Sequence, residues 1–157
     1  MDIKIKIYLE RAGSELRLAK GIMRLSESKK LKEGAGVNPK DTFYSSVINH
    51  CYYSIFYSAK AILLTKGVKT ESPNVHKKTF EEFKKNFVNT GILDVELLKI
   101  YKKAVVRADE LLGIFGEEKW KRGHYTYKTI PQANKEPAEE SVKNATKFLS
   151  NVNMVVS

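Results

Sequence analysis

"YYSIFYSAKAILLTKG", Tyr52 to Gly67, decides the fold. It carries three tyrosines, a phenylalanine and almost no charge, in a chain otherwise full of lysine. Rows four residues apart show why. Phe43, Val47, Cys51, Ile55, Ala59 and Leu63 make one apolar row. Tyr44, Ile48, Tyr52, Phe56 and Leu64 make a second, interrupted only by Lys60. Tyr53, Tyr57 and Ala61 make a third, and the fourth is Ser46, His50, Ser54 and Ser58. A helix apolar around most of its girth is surrounded by neighbours. Small serines on the remaining side admit another backbone, which places that side at a subunit interface. Buried tyrosines must bring their hydroxyls to partners or to the rim. The stretch reads as the central helix of a bundle.

The helix around it is predicted over 41–66, capped by Asp41 or Thr42 and ended by Gly67 as a left-handed residue. Upstream, Ile5, Tyr8, Leu9, Ala12, Leu16, Ala19, Ile22 and Met23 recur at three and four, predicting a long first helix to about Leu31. "KEGAGVNPK" breaks the chain. A third, short helix is predicted over 75–89, with Ser72 or Asn74 as cap and Pro73 in the entry. Asp94 caps a fourth to about Phe115, on Leu97, Leu98, Tyr101, Ala104, Val105, Ala108, Leu111 and Leu112. No period is sustained over 116–134. A last helix begins near Pro137 and carries Ala138, Val142, Ala145, Phe148, Leu149 and Val152. The expected architecture is all-α: an antiparallel four- or five-helix up-and-down bundle, one domain over 1–157.

A chain of 157 residues can bury a core without metal or disulfide help. The single cysteine, Cys51, excludes an internal disulfide and sits in an apolar row, as a small core residue does. No apolar run approaches the roughly 20 residues that span a bilayer, and "MDIKIKIYLERAG" lacks an apolar signal core. A soluble, cytoplasmic protein without a membrane partner is expected. The net charge of +10 points to polyanions or an acidic partner, although lysine-rich composition also follows growth temperature or genome bias.

Several chemistries lack their motifs. There is no glycine-rich phosphate loop, no Gly-x-Ser-x-Gly and no His-Glu-x-x-His. His50, His76 and His124 have no metal-ligand spacing, so neither metal nor cofactor is expected. His76 reads as a helix-start residue satisfied by backbone or solvent, and His50 as an interface or core histidine. The segment "EEKWKRGHYTYKTI" interleaves Lys119, Trp120, Lys121, Arg122, His124, Tyr125, Tyr127 and Lys128. Cations neutralise phosphate, while rings and guanidinium planes stack on bases. A histidine beside a cation can also move a proton in metal-free RNA cleavage. The bland alternative is a solvated basic loop whose rings pack on the bundle. Arg107 predicts a surface pair with Glu110, three residues on, or else a side chain turned into the cleft beside His124.

The run from Ser45 through "FKKNFVNTGILD", then "KRGHYTY", then "EPAEESVKNATKFLSNV" resembles the HEPN-domain proteins over roughly Ser45 to Val152. The resemblance implies a five-helix bundle, commonly a homodimer, often encoded beside a minimal nucleotidyltransferase as a toxin–antitoxin pair. Active members are metal-independent endoribonucleases with Arg-x(4–6)-His at the dimer cleft. His124 matches the histidine. The arginine position departs: with four residues between, Lys119 stands there, and Arg122 is only two before His124. Lysine is a point charge where arginine is a planar fork.

The first reading is therefore a binding module for a nucleotide or RNA, using Lys121, Arg122, Tyr125, Tyr127 and Arg107, paired with a nucleotidyltransferase. The alternatives are an endoribonuclease using His124 with Lys119 or Arg122 as phosphate clamp, and a helical scaffold without ligand.

Overall fold

The computed structural model describes residues 1–113 and 134–157. Six helices make up this part: α1 Ile3–Glu27, α2 Lys29–Gly34, α3 Tyr44–Leu64, α4 Val75–Phe83, α5 Val95–Leu112 and α6 Lys135–Val156. Among the described residues there is no strand, and the all-α bundle is the architecture expected. No helix among them is long and apolar enough to cross a membrane.

α3 is the centre. It packs on α1, α6, α5 and α4, and its Val47, Cys51, Tyr52, Ala59, Ile62 and Leu63 are buried. Burial pushes the Cys51 thiol up to about 12, which keeps it protonated and inert. The inner half of the serine row is turned to α1, while Ser46 and His50 stay half-exposed. Ser54 and Ser58 are fully buried within the chain, and Ser54 Oγ donates to the Ala12 carbonyl at 2.8 Å. Ala12 and Ala19 on α1 carry no bulk, so the two backbones approach closely on this side. The small residues were read correctly as admitting a neighbour, but that neighbour is α1.

The α1–α3 pair is antiparallel. Contacts step back along α1 as they step forward along α3: Ser26 with Phe43, Glu15 with His50, Ala12 with Ser54, Arg11 with Tyr57. α5 and α6 run antiparallel by the same test, from Glu96–Lys147 to Arg107–Ser141.

The first helix stops at Glu27, short of Leu31, because Ser28 adopts extended backbone and caps α2 by accepting from Leu31 N–H. Neither Asp41 nor Thr42 caps α3. Its N-cap is Phe43, whose N–H donates to Ser26 Oγ at 2.8 Å. The buried Lys32 ammonium donates to the Ser26 and Asp41 carbonyls, tying the end of α1 to the approach to α3. Ser26 thus anchors the entry to α3 at Phe43, while no side chain caps the free N–H groups of its first turn.

Gly67 is left-handed, as expected, with φ of 70°. α4 gives way at Phe83 to a wider π-type turn over Lys84–Val88, where Asn89 N–H reaches back to the Lys84 carbonyl. Asn74 stands at its N-cap in left-handed backbone without a side-chain cap bond. Asp94 caps α5 as expected, accepting from Glu96 N–H at 2.8 Å. α5 closes at Leu112 on left-handed Gly113, and Phe115 lies outside the described residues. α6 starts at Lys135, two residues before the proline.

Candidate functional site

Lys119, Lys121, Arg122, His124, Tyr125 and Tyr127 lie outside the described residues. Arg107 is described, and its main partner is not Glu110. Its Nη1 lies 3.3 Å from Glu140 on α6 and 3.4 Å from both the Pro137 carbonyl and Ser141 Oγ. Burial raises the Glu110 carboxyl, and the nearby Arg107 charge offsets part of that rise. Lys103 pairs with Glu140 as well, and the hydrogen bond from Lys103 holds that carboxyl below its ordinary value. Arg107 therefore clamps α5 to α6. The sequence spacing favoured an in-helix partner, whereas the antiparallel neighbour supplies a nearer carboxylate.

A different group of side chains gathers on α1, α3 and the start of α4. Helical spacing places Tyr8, Arg11 and Glu15 on one face of α1, and Tyr53 with Tyr57, and Phe56 with Lys60, on adjoining strips of α3. The Arg11 guanidinium lies over the Tyr57 ring, 4.3 Å from its centroid, and donates to the Tyr57 hydroxyl at 2.8 Å. Tyr8 stacks beside Tyr57 at 6.0 Å with planes 17° apart. The Lys60 ammonium stands 5.1 Å from the Tyr8 centroid and 5.6 Å from that of Phe56. Tyr53 continues the row to His76, and His76 packs 4.5 Å from Phe56. Below Tyr53, His50 Nδ1 meets the Glu15 carboxylate at 2.5 Å.

The result is a half-exposed strip of rings edged by Arg11 and Lys60, with Tyr52 and Phe56 as its buried floor. Rings and a guanidinium plane are what stack a base, and the cations among them meet its phosphate. Tyr57 brings its hydroxyl to Arg11, the kind of partner the sequence reading required of a buried tyrosine. What the sequence reading missed was the contribution of α1, since nothing local links Tyr8 and Arg11 to Tyr57. Lys60 was the available signal: a cation breaking an apolar row marks where that row reaches the surface.

His76 is held by a side chain, not by backbone or solvent alone: its Nδ1 shares a 2.8 Å hydrogen bond with the Tyr52 hydroxyl. Burial, then the charge of Lys60, lowers its pKa below the ordinary 6.5. Burial raises the Tyr52 hydroxyl well above its ordinary value, so the pair is neutral imidazole with phenol at neutral pH. The linkage has a definite sign. With the folded pKa lowered, the unfolded chain takes up the proton first as pH falls. The contribution of His76 to stability is intact above 6.5 and is lost as pH falls through that value toward the folded pKa. Thermal melts between about pH 8 and about pH 5 should show this decline, and His76→Gln should flatten it. An unchanged profile in the variant would remove His76 as its source.

Residues 14–155 match the model of the HEPN domain. The Methanocaldococcus jannaschii protein named "Putative toxin MJ0142" is 35% identical over 91 residues, covering 57% of this chain and 60% of that protein. A second protein of the same organism, named "Putative toxin MJ0605", is 28% identical over 113 residues, 72% of this chain and 71% of its own. A "UPF0332 protein" of Thermotoga maritima is 38% identical over 58 residues, 37% of this chain and 42% of that one. The match thus spans less than two thirds of the first and third of these relatives. No solved structure matches.

Proposed function

This chain belongs to the HEPN domain family, and from that premise we propose that it is a toxin-like helical module that binds single-stranded RNA or a nucleotide. Its proposed counterpart is a minimal nucleotidyltransferase, acting with it in the cytoplasm as a toxin–antitoxin pair. A homodimer forms part of the proposal, with a shared surface other than the inner half of the serine row, which α1 occupies. The observation that carries the binding reading is the strip of Tyr8, Tyr57 and Tyr53 edged by Arg11 and Lys60. The net charge of +10 supports it from outside the strip. Lys121, Arg122, Tyr125 and Tyr127 repeat the same mixture of cations and rings in the sequence after α5, and belong to the proposed binding residues on composition alone.

The test is binding of a fluorescent single-stranded RNA at low and at physiological salt. Each phosphate neutralised releases counterions, so affinity should fall with a log–log slope of about −0.7 per contact. Three or more contacts give a slope of roughly −2 or steeper. RNA left unbound at low salt would end this reading.

A second reading is favoured by the relatives named as putative toxins: an endoribonuclease with His124 as proton-moving group and Arg122 or Lys119 on the phosphate. Lysine at the position of the family arginine argues for weak activity or none. Incubation of the wild-type chain with RNA in EDTA should leave the RNA intact. Cleavage that disappears in His124→Ala would reverse the order of the two readings.

A further inference from the structure

At one end of the ring strip lies a cavity of about 60 Å³, lined by Lys4, Tyr8, Lys60, Lys69, Thr70 and Glu71. The geometry points to this cavity as a site for a terminal phosphomonoester, the phosphorylated end of an RNA or a mononucleotide, and this rests on the RNA-binding reading above.

The three lysines come from three places in the chain: the first turn of α1, the last half of α3, and the loop between α3 and α4. Folding alone brings them together. One carboxylate, Glu71, stands against them, so the lining carries an excess of two positive charges. Asp2 is nearby in sequence, and its carboxylate is engaged in capping α1 through Lys4 N–H.

The cavity is also built before any ligand arrives. Lys60 Nζ donates to the Thr70 carbonyl at 3.1 Å, which fixes its ammonium and leaves further N–H groups for an anion. The Thr70 hydroxyl is tied to that of Thr79 at 2.6 Å, and Lys78 Nζ donates to the Glu71 carbonyl. A loop held at three points loses little freedom on binding. A space of about 60 Å³ is on the scale of one small tetrahedral oxyanion.

The neighbourhood explains why the anion should be the end of a nucleotide. Tyr8 forms a wall of the cavity and also stacks beside Tyr57. A base placed on the ring strip would put its own phosphate within reach of Lys60. A phosphomonoester carries about −1.5 to −2 at neutral pH, against −1 for an internal diester. The excess positive charge therefore favours the end over the middle of a strand.

The test compares one short single-stranded RNA with a 5′-phosphate, with a 3′-phosphate and with hydroxyls at both ends, against the full chain. A phosphorylated end should bind about tenfold more tightly than the hydroxyl form, the scale of one or two charge-assisted hydrogen bonds. Lys69→Gln and Lys4→Gln, both exposed side chains, should erase that advantage while leaving hydroxyl-ended RNA bound as before. The 5′ and 3′ arms say which end is read. Inorganic phosphate should raise the melting temperature above that in chloride of equal ionic strength, and Lys69→Gln should remove the rise. Hydroxyl-ended RNA that binds equally well overturns the cavity's role and leaves the RNA-binding reading standing. Absence of all RNA binding overturns that reading, and absence of the phosphate-induced rise then overturns the cavity on its own evidence.

Discussion

Phe83→Ala should lower the stability of the folded chain by about 3–5 kcal/mol. Phe83 is fully buried, and its ring centroid lies 5.4 Å from that of Tyr101, 5.2 Å from Phe148 and 6.3 Å from Phe87. Those partners stand on α5, α6 and the π-type turn, so one side chain joins three elements. Truncation would leave a cavity that none of them can fill alone, since Tyr101 and Phe148 already pack edge-on against each other at 5.6 Å. Domains of this size hold only about 5–15 kcal/mol in total, so the variant would lose a large share of its margin. A urea titration of both proteins gives the difference from the midpoints at unchanged slope. Ile92→Ala, at a residue 45% exposed, serves as control and should stay within about 0.5 kcal/mol. A loss below about 1 kcal/mol at Phe83 would mean that α4 is not part of the cooperative core.

The apolar rows made α3 legible, because a helix buried on nearly every side needs no partner to be identified. Asp94 and Gly67 were legible for a similar reason: cap and stop signals act within a few residues. What failed was whatever depended on a distant group. Ser26 at the approach to α3 lies 17 residues from Phe43, and no local pattern ties them. Arg107 found Glu140 across an antiparallel pair, while the sequence offered Glu110 one turn away. The ring strip follows the same rule. Its α3 half could be read from Tyr53, Tyr57 and Lys60, but Tyr8 and Arg11 join it only once α1 is known to run back along α3. The family likeness was legible because it rests on order along the chain, from the α3 rows through "FKKNFVNTGILD" to the α6 pattern.

The double variant Arg11→Gln, Tyr57→Leu should bind single-stranded RNA about a hundredfold more weakly than the wild type. Stacking of a base on an aromatic ring is worth about 1–3 kcal/mol, and the guanidinium adds a cation–π and a phosphate contribution. The two side chains touch, with Arg11 lying over the Tyr57 ring, so their effects will not add and the pair is removed together. Leucine retains most of the bulk that Tyr57 presses against Tyr8 and Tyr53, and glutamine retains much of the arginine stem. The fold should therefore persist, with a melting temperature lowered by only a few degrees. Lys102→Gln removes an exposed charge from α5, away from the strip, and measures what any lost cation costs. It should weaken binding by less than about threefold at physiological salt, where distant charges are screened. If the double variant and Lys102→Gln weaken binding equally, the strip is not the site. Binding would then follow net charge alone, or rest on Lys119 to Lys128. Arg122→Ala and Tyr125→Ala separate those two cases, because a bound base is sensitive to the loss of Tyr125 and a diffuse field is not.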